Sequence, residues 1–195
     1  MQIGKIVKSN SQVDYVCQIN NPGEFSILPQ PHDYAFGTFV RIELGNGSGY
    51  LVGLIYNTIL MNPEFGNLGP RLSPPSDLEI FSPDYLREQA TLVSILAVGQ
   101  VTRDGEIYQG VPLLAATVNA AVETLSPDEI RHFHTPGGRL SLAYVPRLLA
   151  ERDAITPHLL LKVVEQLVAL FPNQKRQLAV LRGNLAWKAT VTPVG

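Results

Sequence analysis

A chain of 195 residues, 45% hydrophobic and 16% charged, can bury a continuous core and is too apolar for intrinsic disorder. A formal charge of -2 gives no global attraction for a polyanion, and the single cysteine, Cys17, excludes an intramolecular disulfide and any zinc site built on several thiolates. No basic segment leading into a long apolar run follows Met1, and no apolar run nears the roughly 20 residues of a spanning helix, so a cytoplasmic location without membrane contact is expected.

The first half reads in period two. Residues 3–7 form a first expected strand. Val13, Tyr15, Cys17 and Ile19 then alternate with Asp14, Gln18 and Asn20, the pattern of a strand with one face on a core. Val40, Ile42 and Leu44 repeat it, with Arg41 and Glu43 turned the other way. Gly45, Asn46, Gly47, Ser48 and Gly49 follow and reach positive backbone angles at low cost, and residues 50–56 are again extended and apolar, which predicts a β-hairpin. A further strand is expected over residues 92–101, and a small barrel accounts for the set. The proline-rich residues 62–76 before it, with Pro63, Pro70, Pro74 and Pro75, read as a connector over the barrel surface.

The character changes near Pro112. Ser126, Pro127, Asp128 and Glu129 combine an N-cap, a proline at the first helical position and a capping-box acid, so a short helix starts there. Ser82, Pro83 and Asp84 make a similar start before Tyr85 and Leu86. Thr156 and Pro157 open the longest helical segment, with Leu160, Val163, Val164, Leu167 and Phe171 spaced by three and four until Pro172. Residues 174–187 continue as a second helix, interrupted or weakened at Gly183. The expected fold class is α+β, a small N-terminal β-barrel over residues 1–112 followed by a mostly α-helical region over residues 113–195.

The order of features resembles a known family. Ile3-Gly4-Lys5-Ile6-Val7, Asp33-Tyr34-Ala35-Phe36-Gly37-Thr38-Phe39-Val40 and Leu51-Val52-Gly53-Leu54-Ile55-Tyr56 are similar to the N-terminal barrel of HerA-type ATPases, the HAS-barrel, a class also found at the start of rotary ATP synthase catalytic subunits. The likeness extends loosely through residues 92–98, Gly110-Val111-Pro112 and the capped segment at Ser126. Such proteins continue into a motor domain with a phosphate loop of the form G-x-x-x-x-G-K-[ST], and no such motif occurs here. The resemblance therefore implies a barrel used for packing subunits or docking partners, either without its motor or beside a separate one.

No residue carries a recognisable catalytic, cofactor-binding or metal-ligating signature. Glu129 and His132 have the E-x-x-H spacing of carboxylate-bridged metal centres, but no second copy follows, and a solvated helix end with His132 and His134 near its C-terminal dipole is the expected arrangement. His158 suits a surface or capping position, and His32 has no assignable partner. No G-x-S-x-G elbow is present, and Cys17 sits where a thiol acts as a small hydrophobe. The glycines of residues 45–49 lack the lysine and following helix of a phosphate loop and are expected to form a hairpin turn. Lys162, Lys175, Arg176, Arg182 and Lys188 give the C-terminal region a basic bias, expected as a solvated face with Trp187 in the core.

Three functions follow from these residues. The leading expectation is a noncatalytic barrel, not an enzyme and without a cofactor, that works through a protein partner or self-association. The second is nucleic-acid association in a repair or processing assembly. The third is an enzyme whose pocket is assembled from distant residues.

Overall fold

The structure, a computed structural model, describes residues 1–21, 28–62, 89–150 and 154–191, with side chains as far as residue 189. The connector and the helix start expected within residues 63–88 lie outside the described residues. The fold is α+β with an N-terminal barrel. Strands β1 (Gln2–Ser9), β2 (Asp14–Ile19), β3 (Phe39–Glu43), β4 (Tyr50–Met61), β5 (Ala90–Val101), β6 (Ile107–Gln109) and β7 (Ala121–Thr124) precede helices α1 (Pro127–Phe133), α2 (Val145–Ala150), α3 (Thr156–Leu170) and α4 (Lys175–Val191).

Six strands close on themselves in the order β1, β2, β5, β4, β3 and β7, with β7 returning to β1. Every pairing among the described strands is antiparallel. β5 serves two neighbours on one edge: residues 92–96 pair with β2, and residues 99–101 pair with the short outer strand β6. Register shifts between Val52 and Gly53 and between Ile55 and Asn57 bend the long β4–β5 ladder, as closure of so small a sheet requires. β7 comes from beyond Pro112, so the barrel draws on residues as far as Thr124.

The alternating sequence positions fill the barrel. Tyr15, Cys17 and Ile19 meet Val40, Ile42 and Leu44 in an interior shared with Ile3, Ile6, Leu51, Ile55, Val93 and Ile95. A second core lies outside the barrel wall, where Phe39, Val52, Leu54, Val98 and Val101 are covered by Phe133, Tyr144, Leu148 and the buried stripe of α3. β4 and β5 are thus buried on both faces over much of their length, which is why residues 50–56 and 92–98 read as continuous apolar runs. The helical region is a layer on the barrel with a common core.

Local chemistry fixes where the helices begin and dock. Ser126 and Glu129 form both halves of the expected capping box at α1. α3 buries Leu159, Leu160, Val163, Val164 and Leu167, each contributing about 2 kcal/mol of gross transfer free energy. Gly37, at φ +83°, lets α3 approach: a Cβ there would meet Lys162 Cγ at 2.6 Å, and the Gly37 carbonyl instead accepts from Gln166 Nε2 at 2.8 Å. Gly99 does the same for α1, because a Cβ would stand 2.8 Å from the Phe133 ring. α4 is the longest described helix and runs unbroken through Gly183. It packs along α3 through Leu178 and Leu185, with Leu181 partly buried between them.

Candidate assembly surface

The segment between β6 and β7 begins at Gly110, whose amide donates to Val98 at 2.8 Å. Pro112 is buried, and its carbonyl accepts from Gln12 Nε2. The Tyr15 hydroxyl, at the end of the barrel interior, donates to the Gln12 carbonyl at 2.9 Å and accepts from the Ala116 amide at 3.3 Å. A turn closed by Ala120 N to Thr117 O, with Asn119 at φ +67°, then returns the chain to β1, where Asn119 donates to Ile6 at 2.8 Å and Ile6 donates to Ala120 at 2.9 Å. The start of the segment is fastened to β5, and its middle and far end are fastened to the β1–β2 side of the barrel.

Fastening the backbone this way turns the apolar side chains out. Leu113 is 76% exposed, Val118 65% and Val111 57%, and Leu114 is exposed beside them. The sixteen residues between Glu106 and Glu123 contain no charge. Leaving four large aliphatic groups in water on a fixed loop carries a hydration cost that a partner surface would remove, and contiguous apolar patches of a few hundred Å² commonly mark such contacts. Because the backbone is already held, burial there costs little conformational entropy. In the sequence this surface shows only as a long uncharged stretch, which composition alone cannot assign to inside or outside.

The remaining candidate residues fall elsewhere. Cys17 is buried in the barrel, and burial pushes its thiol up to about 12, away from thiolate chemistry. The residues 45–49 form the expected hairpin turn, with Leu44 N donating to Gly49 O at 3.0 Å. Glu129 has Oε2 occupied by the Ser126 amide and hydroxyl, both at 2.7 Å, and Oε1 by Arg41 Nη1 at 2.9 Å, while His132 is exposed. Burial raises the Glu129 carboxyl, but the Ser126 bonds and Arg41 outweigh it and hold the group below the usual range. Among the described residues no group of three side chains is placed to hold a metal ion.

His134 and Trp187 each reverse an expectation. His134 is fully buried rather than solvated, with Nδ1 2.7 Å from the Ile130 carbonyl and Nε2 2.9 Å from the Tyr144 hydroxyl. Phe39 and Phe133 meet its ring edge-on. Trp187 is 66% exposed rather than in the core, because it lies on the side of α4 opposite Leu178 and Leu185. His32 and His158 are exposed, with His32 Nε2 3.5 Å from Asp33.

Two hollows in the surface are lined by carboxylates. One of about 320 Å³ lies between the start of β2 and the start of α3; its carboxylate, Asp14, accepts from Tyr56 at 2.9 Å and from Asn10 at 3.0 Å, and no histidine or cysteine lines it. The other surrounds Arg41, where Glu123, Glu129 and Glu43 converge on one guanidinium. The second sets the Ser126 hydroxyl on the Glu129 carboxylate, but that bond caps α1 and the carboxylate is also paired with Arg41. No described helix is long and apolar enough to cross a membrane.

Comparison with family models matches residues 1–194 to one described as a domain of unknown function, DUF8166. Comparison with curated proteins gives no match.

Proposed function

The chain belongs to the DUF8166 family, and we propose that it is a noncatalytic barrel module that acts in protein–protein assembly. The observation that carries this reading is the uncharged loop between β6 and β7, tied down by Tyr15, Gln12 and Ile6 yet presenting Val111, Leu113, Leu114 and Val118 to water. A loop with no charge presents no like-charge penalty to a second copy of itself, so self-association through this face is the simplest use of it. The sequence resemblance to HerA-type barrels suggests a separate HerA-like ATPase as the other partner.

Light scattering on the eluting protein tests the reading. The wild-type chain should form an oligomer, and the double variant Leu113→Asp, Val118→Asp should elute as a monomer with an unchanged far-ultraviolet circular dichroism spectrum, since neither side chain is buried within the chain. A wild-type protein that is monomeric at every concentration and retains nothing from its own cell extract that the double variant loses would remove the proposal.

A further inference from the structure

The pleat of β2 sends Tyr15 and Cys17 into the barrel and Asp14 out of it, to the side where α3 begins. Asp14 lies there beside Leu96, its cross-strand neighbour on β5, and within a hydrogen bond of Tyr56 on β4. Thr156 and Leu159 of α3, both buried, form the facing wall, and Val13 and Ile155 complete an apolar lining. The hollow enclosed between barrel and helix layer measures about 320 Å³, at the low end of the roughly 300–1,000 Å³ of small-molecule sites.

The carboxylate in this hollow is oriented but not neutralised. Oδ1 accepts from the Tyr56 hydroxyl and Oδ2 from the Asn10 side-chain amide, both uncharged donors, and each oxygen keeps a second lone pair. Among the described residues no lysine, arginine or histidine pairs with Asp14, and no other charged side chain lines the hollow. Arg147, on α2, directs Nη2 to the Ala97 carbonyl at 2.9 Å and is not part of the lining. α3 presents its amino-terminal end here, equivalent to roughly half a positive charge, which the full charge of Asp14 exceeds.

We propose that this hollow binds a small primary amine with an apolar body. The ammonium takes the remaining lone pairs of Asp14, with the Ser11 hydroxyl oxygen as a further acceptor, and the hydrocarbon lies on Leu96, Ile155 and Leu159. The lining selects this class. An anion would meet Asp14 with like charge, and a divalent metal ion would find one carboxylate where it takes about six or more oxygen ligands. An uncharged apolar molecule would cover the carboxylate without supplying a cation to it. The proposal goes beyond the assembly reading and does not depend on it, because none of Val111, Leu113, Leu114 and Val118 lines the hollow.

Phenethylamine is the probe, with phenethyl alcohol as its uncharged counterpart and hydrocinnamate as its anionic one. Titrated into the isotope-labelled full-length protein, phenethylamine should shift the backbone amide resonances of Asp14, Leu96 and Leu159 and saturate with a Kd of about 1 mM or tighter, ordinary for a ligand of this size. The alcohol and the acid should bind about tenfold more weakly or not at all. Asp14→Asn keeps an acceptor for Tyr56 and should bind the amine no better than the alcohol. Ile155→Lys, at an exposed position, supplies an ammonium of the chain itself to the hollow and should exclude the amine even where the first variant fails to fold. Resonances unmoved by phenethylamine at about 10 mM overturn the proposal. So do equal affinities for amine and alcohol, shifts that avoid the three named residues, or a folded Asp14→Asn variant that keeps the preference for the amine.

Discussion

The Tyr144 hydroxyl lies 2.9 Å from Nε2 of His134, and because burial keeps the imidazole neutral the hydroxyl is the hydrogen-bond donor of the pair. The assignment follows from the other nitrogen. Nδ1 faces the Ile130 carbonyl at 2.7 Å and must carry the hydrogen, which leaves Nε2 as the acceptor. Burial lowers the imidazole to about 4, with the Ile130 bond opposing the shift, and burial also raises the Tyr144 phenol.

A histidine held neutral in the folded state makes stability depend on acid with a definite sign. The unfolded imidazole binds its proton near pH ~6.5. Between that value and about 4 the unfolded chain holds a proton that the folded chain refuses, so stability is intact above the upper value and falls as pH descends toward the lower one. Urea unfolding across that interval should show the decline, and His134→Gln should flatten it. Tyr144→Phe leaves Nε2 buried without a donor and should cost about 1–3 kcal/mol at neutral pH.

Arg41 pairs with three carboxylates from three elements: Glu43 on β3 at 3.1 Å, Glu123 on β7 at 2.6 Å and Glu129 on α1 at 2.9 Å. Arg41→Leu would leave those acids facing one another, and we expect a loss of about 1–3 kcal/mol by chemical denaturation, the partial exposure of the site keeping it below the value for a buried pair. The sign of the pH effect is opposite to that of His134. Glu129 is held low in the folded state, so its contribution is present above the ordinary carboxylate range and is lost as pH falls through its folded value. The deficit of the variant should accordingly shrink in acid. An equal deficit at every pH would show that Arg41 acts through packing alone.

Cys17 lies at the centre of the barrel interior and its thiol is raised to about 12 by burial. Modification by a chromogenic disulfide reagent at pH 8 should therefore proceed only as fast as the barrel opens, and should accelerate in parallel with unfolding as urea is added. Fast modification of the folded protein would contradict the burial.

What the sequence revealed depended on how local each signal was. The interior strands were legible because Tyr15, Cys17 and Ile19, and Val40, Ile42 and Leu44, carry the period of a pleat in consecutive residues. Ser126 and Glu129 announced α1 for the same reason. β7 was not legible: it is four residues long, and only Val122 among them is buried. His134 escaped because its surroundings are assembled from Phe39, Phe133 and Tyr144, which no single window brings together. Gly183 was expected to weaken the last helix, but it lies at an exposed position, where a glycine costs about 1 kcal/mol and need not break the helix. The burial assigned to Trp187 rested on residue type; the helical phase set by Leu178 and Leu185 already placed it outward.

The seam between β1 and β7 has a consequence for how the protein is made. Gln2 aligns with Glu123, and the Met1 carbonyl accepts from the Thr124 amide at 2.9 Å, so the first strand of the barrel to be made waits for the last before its second edge is covered. Until then the hairpin of β1 and β2 has an open ladder, and the outer apolar wall of β4 and β5 has no helices over it. Closure is a long-range event that synthesis itself delays, which makes the nascent barrel slow to complete and places its greatest exposure to mispairing before translation of α1.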